Sequence, residues 1–176
     1  MSPSETPAPF SVRSARTADV ARIIEMAGPL VDQRVLVPKE AVTYYESIQE
    51  FLVAEDDHGE LIGFGALHVM WEDLAEVRTL ATLDSWRGHG VGSGLLRGLR
   101  QRAEDLGVSR VFCLTFEVEF FARHGFEMMA EAPPVDAEVY LELLRSPDEG
   151  VAEFLDLARV KPNTLGNTRM LLHLDR

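Results

Sequence analysis

The sequence predicts an α/β fold with a mixed, mostly antiparallel central sheet and helices on both faces. Strand and helix patterns follow each other in the order β-α-α-β-β-β-α-β-α-β, with a long interruption before the last strand. A glycine-rich loop joins a strand pattern to the longest helix pattern. The chain has 176 residues, of which 46% are hydrophobic, and this is enough for the core of a single domain.

The first half of the chain carries two helix patterns and three strand patterns. Thr17 and Asp19 are typical helix caps, and Gly28-Pro29 is expected to end the helix that they begin. The run Asp56-Asp-His-Gly59 lies between two strand patterns and is a hairpin signal. The predicted elements are a strand over 12–16, helices over 20–27 and 39–49, and strands over 51–54 and 61–69.

The second half begins with the strand that leads into the glycine-rich loop. Apolar residues then recur at helical spacing from Leu95 to Leu106, and Gly107 breaks that pattern. The predicted elements are a strand over 75–83, this long helix, a strand over 110–114, a short helix over 118–123, an edge strand over 126–129, a helix over 137–144 and a final strand over 168–174.

Residues 1–9 are expected to be a disordered leader, and residues 10–176 a single domain. The leader lacks the basic and apolar segments of a signal peptide, and no apolar run approaches the roughly 18 residues of a membrane span. The sole cysteine, Cys113, lies in an apolar strand pattern and is expected to be a buried thiol in a reducing compartment. These features predict a cytoplasmic protein.

The net charge of -12 argues against nucleic acids and anionic membranes as partners, because both need a basic surface. Only Lys39 and Lys161 are lysines, so most of the positive charge is arginine, which binds carboxylates and phosphates through paired hydrogen bonds. An anion site in this chain is therefore expected to be a local group of arginines and backbone amides.

The run Arg87-Gly88-His89-Gly90-Val91-Gly92 is typical of a phosphate-binding loop. Glycines let backbone N–H groups converge, and the helix that follows adds its unsatisfied N-terminal donors. A Walker loop would need a lysine before Ser93, and a dinucleotide fingerprint would need a repeated βαβ unit; the sequence has neither. The loop predicts a pyrophosphate site, with a plain glycine-rich turn as the alternative.

Residues 10 to 174 resemble the GCN5-related N-acetyltransferases, the GNAT family. The resemblance is carried by the order of elements, by the spacing R-x-x-G-x-G in the loop and by the segment Phe120-Phe-Ala-Arg-His-Gly-Phe126. Segments 36–39, 75–78, 111–115 and 165–172 are similar to the acetyltransferase domain of N-acetylglutamate synthases, and most of all to short, stand-alone actinobacterial forms. The resemblance implies a GNAT fold, acetyl-CoA as cosubstrate with no metal, and a place in arginine biosynthesis.

The resemblance also implies how acetyl-CoA is bound. The strand before the loop would separate from its neighbour and pair with pantetheine through Leu80 and Thr82. Phe121 would pack against pantetheine or the core. The residues expected around the pyrophosphate are Arg87, Gly88, His89, Gly90, Val91, Gly92 and Ser93, with the His89 ring facing solvent.

Transfer of an acetyl group needs a neutral amine and a stabilised oxyanion. Glu76 matches a glutamate of the synthase pattern and is the predicted base. Because side chains alternate along a strand, Glu76 shares a face with Arg78, and an ion pair between them is its alternative role. A backbone N–H of Thr79 or Leu80 would meet the oxyanion.

The departing thiolate needs a proton, and here the chain departs from the family. Many GNAT enzymes place a tyrosine where this chain has Phe121, which cannot donate a proton. The proton would have to come from Thr115, His124 or water, and the sequence does not choose between them.

Glutamate carries two carboxylates, so its site needs cations or amide donors. Lys39 matches a basic residue of the synthase pattern, and Arg78 lies beside the predicted base. Asn167, Thr168 and Arg169 open the last strand. All five are predicted to bind substrate, with surface or capping roles as the alternative.

The sequence thus predicts an amino-acid N-acetyltransferase that moves acetyl from acetyl-CoA to the α-amine of L-glutamate within a ternary complex. Glutamine, a protein N-terminus or a polyamine stay open as acceptors, and so does a catalytically silent acyl-CoA-binding regulator. The predicted partners are small molecules, with no nucleic acid and no membrane, and a homodimer stays open.

Overall fold

The computed structural model describes residues 9–163 and 166–174. The expected leader therefore lies outside the described residues, except for Pro9. The chain divides into two compact units. The first unit runs up to Leu67 and includes Thr79–Arg102; the second comprises His68–Arg78 and the chain from Ala103 onward. Within the described residues, no helix is both long enough and apolar enough to cross a membrane.

The strands form a mixed sheet, which confirms the predicted α/β class. They are β1 (Phe10–Ser14), β2 (Phe51–Asp56), β3 (Leu61–Trp71), β4 (Leu74–Thr82), β5 (Arg110–Thr115), β6 (Glu127–Met128) and β7 (Thr168–His173). Their order in the sheet is β1-β2-β3-β4-β5-β7-β6. The pairings β1–β2, β2–β3, β5–β7 and β6–β7 are antiparallel, whereas β4–β5 is parallel.

Six α-helices and four short 3₁₀ helices lie within the described residues. The α-helices are α1 (Val20–Asp32), α2 (Ala41–Glu46), α3 (Val91–Asp105), α4 (Val118–Arg123), α5 (Ala137–Leu143) and α6 (Glu149–Phe154). The 3₁₀ helices are Thr17–Asp19, Ile48–Glu50, Asp84–Trp86 and Ala158–Asn163. The bounds of α4 are those predicted, whereas α6 lies in the interruption where no helix was predicted.

Several predicted boundaries in the first unit differ from those of the structure, and three of the predicted ends are wrong for a local reason. The first strand ends at Ser14, because the Arg16 amide turns to donate to Asp19 Oδ2 over 2.7 Å. Helix α1 continues past Pro29, whose carbonyl accepts from the Gln33 amide, and the chain leaves the helix at Arg34 with a φ of +58°. The helix predicted over 39–49 ends at Glu46, since the next residue bonds its hydroxyl back to Thr43 O.

The core of the first unit forms where α1 and α2 cover β2 and β3. Val20 and Ile23 of α1 are fully buried with Phe51 and Phe64 of the strands. Helix α3 lies close to β1 and β2, because Gly94 and Gly98 face these strands. A Cβ on Gly94 would stand 2.9 Å from the Phe10 ring, and one on Gly98 would stand 2.8 Å from Leu52 Cδ1. This close approach fixes the start of α3, where the glycine-rich loop ends.

The core of the second unit joins β4 and β5 to α5 and α6. Leu74, Phe112 and Phe154 are fully buried, and the last two rings meet edge to face with centroids 5.4 Å apart. The parallel pairing of β4 with β5 runs from Leu74 opposite Arg110 to Glu76 opposite Phe112 and goes no further, although both strands continue. The predicted separation of β4 from its neighbour therefore begins directly after Glu76.

Candidate active site

The glycine-rich loop of the first unit connects β4 to α3. The Leu83 amide donates to Ile62 O over 2.9 Å, which anchors the end of β4, and the Asp84–Trp86 helix follows. Gly88 and Gly90 have φ values of +79° and +82°, which favour glycine. The first backbone bond into α3 runs from Gly94 N–H to Gly90 O, so the amides at the start of the helix precede its hydrogen-bonded ladder.

Two loop side chains are held within the loop itself. The Arg87 side chain is 65% exposed, and its Nε lies 3.1 Å from Asp84 Oδ1. Such an exposed ion pair contributes little to stability and leaves the guanidinium accessible. His89 is half-buried, so its ring faces solvent only in part, with Nδ1 3.0 Å from Arg87 O and an edge contact with Trp86. The His89 amide donates to Trp86 O over 3.3 Å, so this one predicted pyrophosphate donor is engaged in the turn.

The predicted oxyanion residues lie at an irregular point of β4. Thr79 has a φ of +59°, which is uncommon for a β-branched residue and costs about 1–3 kcal/mol. Such strain persists only where the surrounding structure enforces it, and Lys39 Nζ donates to Thr79 Oγ1 over 3.0 Å. The Lys39 ammonium also lies 5.9 Å from the centroid of the Tyr44 ring. Lys39 and Thr79, predicted to bind substrate and oxyanion respectively, are thus joined by a hydrogen bond.

In the second unit, Glu76 and Arg78 form an ion pair. Glu76 is 4% exposed, and its Oε2 accepts from Arg78 Nε over 2.9 Å and from Nη2 over 2.5 Å. The predicted sharing of a strand face is confirmed, and so is the ion pair that was the alternative role of Glu76. Its role as base stays a prediction.

Asp148 also belongs to this group, although it was not among the predicted site residues. Its Oδ1 accepts from Arg78 Nη1 over 2.9 Å and its Oδ2 from Nη2 over 2.7 Å, a bidentate pair. Its Oδ2 also accepts from the Val151 amide over 3.0 Å and so caps α6, while His68 Nε2 lies 3.7 Å from Oδ1. A capping aspartate ahead of a buried segment was the only signal that could have identified it.

Burial and charge together set the ionisation of this group. Burial raises the pKa of Glu76 and the negative charge of Asp148 adds to the rise, although Arg78 opposes both. Burial also opposes the ionised form of Asp148, but the hydrogen bonds from Arg78 outweigh it and lower its pKa. Burial and the Glu76 charge raise the pKa of Glu153 to about 8 and raise that of Cys113. Cys113 is thus a buried thiol, as predicted.

The residues that open β7 are held by the chain itself. The Arg169 guanidinium donates to the backbone carbonyls of Glu153 over 3.1 Å and of Phe154, so it holds the end of α6. Thr168 lies opposite Thr115 in the β5–β7 ladder, and Asn167 precedes it, half-buried. The capping alternative therefore describes the contacts of Arg169, and a contact with substrate stays a prediction for all three.

Phe121 is 5% exposed and packs edge to face on Phe120 and Phe126, with centroid distances of 5.1 Å. These contacts are those of a core residue, and packing against pantetheine stays a prediction.

The two candidate proton donors each have a defined contact. The Thr115 hydroxyl accepts from the Glu117 amide over 2.8 Å, which leaves its own proton free to be donated. His124 Nδ1 lies 2.7 Å from Phe120 O, and since a carbonyl only accepts, Nδ1 carries a proton. The other ring nitrogen of His124 would donate only in the imidazolium form. Within residues 9–163 and 166–174, no cluster of three or more His, Cys, Asp or Glu side chains could hold a metal ion.

Comparison with known proteins gives matches along nearly the whole chain. The profile of the acetyltransferase (GNAT) family matches residues 25–126. An amino-acid acetyltransferase of Mycobacterium tuberculosis is 54% identical over 165 residues, which cover 93% of this chain and 94% of the relative.

Two solved structures are also similar. Rv2747 from Mycobacterium tuberculosis, solved with CoA and a second ligand, has a TM-score of 0.87 at 53% identity and covers 94% of this chain and 99% of its own. The N-acetylglutamate synthase of Neisseria gonorrhoeae, solved with coenzyme A and N-acetyl-glutamate, has a TM-score of 0.75 at 25% identity, over 97% of this chain and 36% of that longer chain. With the α/β sheet and the glycine-rich loop already in place, these matches show that the chain belongs to the acetyltransferase (GNAT) family.

Proposed function

We propose that this protein is an amino-acid N-acetyltransferase that transfers acetyl from acetyl-CoA to the α-amine of L-glutamate, the first step of arginine biosynthesis. The observation that carries the proposal is the 54% identity to an amino-acid acetyltransferase over 93% of this chain and 94% of that relative. Because the match extends over nearly all of both chains, it is not confined to the glycine-rich loop. The single, buried cysteine is in keeping with a cytoplasmic enzyme.

The glycine-rich loop is proposed to bind the pyrophosphate of acetyl-CoA. The positions where Gly88 and Gly90 would carry a Cβ have no atom within 4 Å, so a ligand can approach the backbone there. The N-terminus of α3, a helix of 15 residues, adds donors and the positive end of its dipole. Arg87 is placed to add charge, since its pairing with Asp84 is exposed.

Glu76 is proposed as the base that removes a proton from the substrate ammonium. Its raised pKa supports the role, because a carboxylate with an ordinary pKa is too weak a base at neutral pH. The backbone N–H of Thr79 or Leu80 is proposed to stabilise the oxyanion, and the left-handed φ of Thr79 re-aims the strand at that point. Thr115, His124 or water is proposed to supply the thiolate proton.

Lys39, Arg78, Asn167, Thr168 and Arg169 are proposed to bind the acceptor. The contacts of Arg78 limit its part, because four of its five N–H directions already point at Glu76 and Asp148. One Nη1 hydrogen is left for a substrate carboxylate. A single charged hydrogen bond from Arg78 is therefore the contact to expect while Asp148 stays in place.

Release of CoA, followed at steady state across a panel of acceptors, tests the proposal. Glutamate should be acetylated faster than glutamine, spermidine or an N-terminal peptide, and its amine analogue without the α-carboxylate should react far more slowly. A higher kcat/KM for glutamine would move the assignment to that amino acid. A preference for spermidine or the peptide would refute the amino-acid function, and acetyl-CoA binding without turnover of any acceptor would favour a silent regulator.

A further inference from the structure

The Arg78 guanidinium in the second unit is shared by two carboxylates. Glu76 takes the Nε edge and part of Nη2, whereas Asp148 takes Nη1 and the rest of Nη2. Arg78 is thus a bridge between two anions and is not the counterion of Glu76 alone. The two carboxylates come from distant parts of the chain, because Glu76 is next but one to Arg78, whereas Asp148 lies 70 residues after Arg78.

The start of α6 is pressed against this bridge. Asp148 caps α6, and Gly150 follows two residues later with no room for a side chain. A Cβ on Gly150 would stand 2.5 Å from Arg78 Nη2 and 2.8 Å from Glu76 Cδ, and closer still to Glu76 Oε2. The cap that starts α6 therefore also sets how Asp148 meets Arg78.

Charged and titratable groups face Glu76 from every element packed around it. They are Arg78 on β4 itself, Asp148 before α6, Glu153 on α6, His68 on β3 and Cys113 on β5. Cys113 is included because the Glu76 charge raises the pKa of its thiol. Of these, Asp148 is the one that both hydrogen-bonds the Arg78 guanidinium and carries a negative charge. A one-to-one pair of Glu76 with Arg78 would hold the carboxylate ionised and weaken it as a base.

We propose that Asp148 is a positioning residue for acetyl transfer: by holding the other edge of Arg78, it fixes Glu76 in place and keeps Glu76 from having a full counterion. This inference rests on the proposed function, because it takes Glu76 as the base. It assigns to Asp148 an effect on the basicity of Glu76 that is separate from its capping of α6.

The test is the pH dependence of kcat/KM for glutamate in Asp148→Asn. Asparagine still caps a helix and still accepts a hydrogen bond from Arg78, but it carries no charge. Removal of the negative charge should lower the pKa of Glu76 and move the acidic limb of the profile down by about one pH unit. Asp148→Glu should bring the limb back towards its original position. Asp136→Asn, the same change at the exposed residue before α5, is the matched control and should leave the limb where it is.

The outcomes separate this inference from the proposed function. If the original protein acetylates no amino acid, the proposed function fails before the variants are compared. If it is active and the limb of a folded Asp148→Asn does not move, the positioning role is overturned and the proposed function stands. Asp148→Ser, which also caps well but removes both contacts with Arg78, should move the limb the same way. Failure of both Asn and Ser variants to fold would assign Asp148 to structure alone and overturn the inference.

Discussion

Replacement of glycine by alanine at two helical positions should have opposite effects on stability. Gly28 lies inside α1 with no atom within 4 Å of its Cβ position. Gly28→Ala should therefore raise the free energy of unfolding by about 0.5–1 kcal/mol, because alanine loses less backbone entropy on folding. Gly150 lies in the first turn of α6, where the same Cβ would overlap the Glu76–Arg78 pair.

The loss of stability expected for Gly150→Ala follows from the contacts that the new Cβ would make. Ordinary contacts of carbon lie near 3.5 Å, so a Cβ at 2.5 Å forces Arg78 Nη2 to move by about 1 Å. If Nη2 moves along its 2.7 Å bond to Asp148 Oδ2, the bond lengthens to about 3.7 Å and is broken. A lost charged bond costs about 1.5–3 kcal/mol, and the gain in helix propensity offsets about 1 kcal/mol of it. Gly150→Ala should therefore lower the free energy of unfolding by about 0.5–2 kcal/mol.

Urea titrations of the two variants measure the stabilities, and CoA release with glutamate measures activity. The same Cβ also overlaps Glu76, the proposed base, so Gly150→Ala should lower kcat/KM by about 100-fold, whereas Gly28→Ala should leave it unchanged. If Gly150→Ala instead gains stability as Gly28→Ala does and keeps its activity, α6 does not press on the Glu76–Arg78 pair.

Four further predictions concern single residues. Gly90→Asp should weaken acetyl-CoA binding by at least about 2 kcal/mol, because a negatively charged residue would then have to adopt a left-handed φ beside the pyrophosphate. An unchanged affinity, measured by calorimetry, would exclude the loop as the pyrophosphate site. Glu76→Gln should lower kcat by roughly 10²–10⁴-fold, remove the acidic limb of the pH profile and leave acetyl-CoA affinity intact, and full activity would rule Glu76 out as base. Arg169→Ala should lower the free energy of unfolding by about 1–3 kcal/mol, because the carbonyls at the end of α6 lose their donor. A rise in KM for glutamate at unchanged stability would instead indicate a contact with substrate. Glu153 has a pKa of about 8 in the folded state and near 4.3 in the unfolded state, so between these pH values the folded state binds one more proton. The free energy of unfolding should therefore fall as the pH rises from about 5 to 8. Glu153→Gln should reduce this pH dependence in thermal unfolding, and an unchanged dependence would contradict the assignment.

The parts of the site that follow a local pattern could be predicted from the sequence. The glycine-rich loop joins a strand to a helix as expected, because strand periodicity, turn residues and helical periodicity each act over a few neighbouring residues. The hairpin at Asp56–Gly59 and the bounds of α4 followed from the same kind of signal. The pairing of Glu76 with Arg78 could be predicted too, because residues two positions apart on a strand lie on the same face.

The parts that depend on tertiary contacts could not be predicted. Helix α6 has six residues, one of them glycine, and residues 150–154 are all buried, so packing and not propensity determines that it forms. Asp148 reaches Arg78 across 70 residues of sequence. Thr79 adopts a left-handed φ against the preference of every β-branched residue. No local pattern contains this information.

The contacts of the arginines change the expectation that a group of them forms the anion site. In the second unit, Arg78 is bound by two carboxylates, Arg110 by Asp73, and Arg169 by backbone carbonyls. A guanidinium that is already hydrogen-bonded attracts an anion less, because its charge is partly neutralised and its donors are occupied. These contacts leave the three arginines of the second unit few N–H groups for an anionic ligand, so fixed backbone N–H groups and the exposed Arg87 of the first unit gain importance as donors. Fixed donors select a ligand by where its oxygens lie, so the proposed binding of substrates by the loop and by Arg78 would depend on geometry as well as on charge.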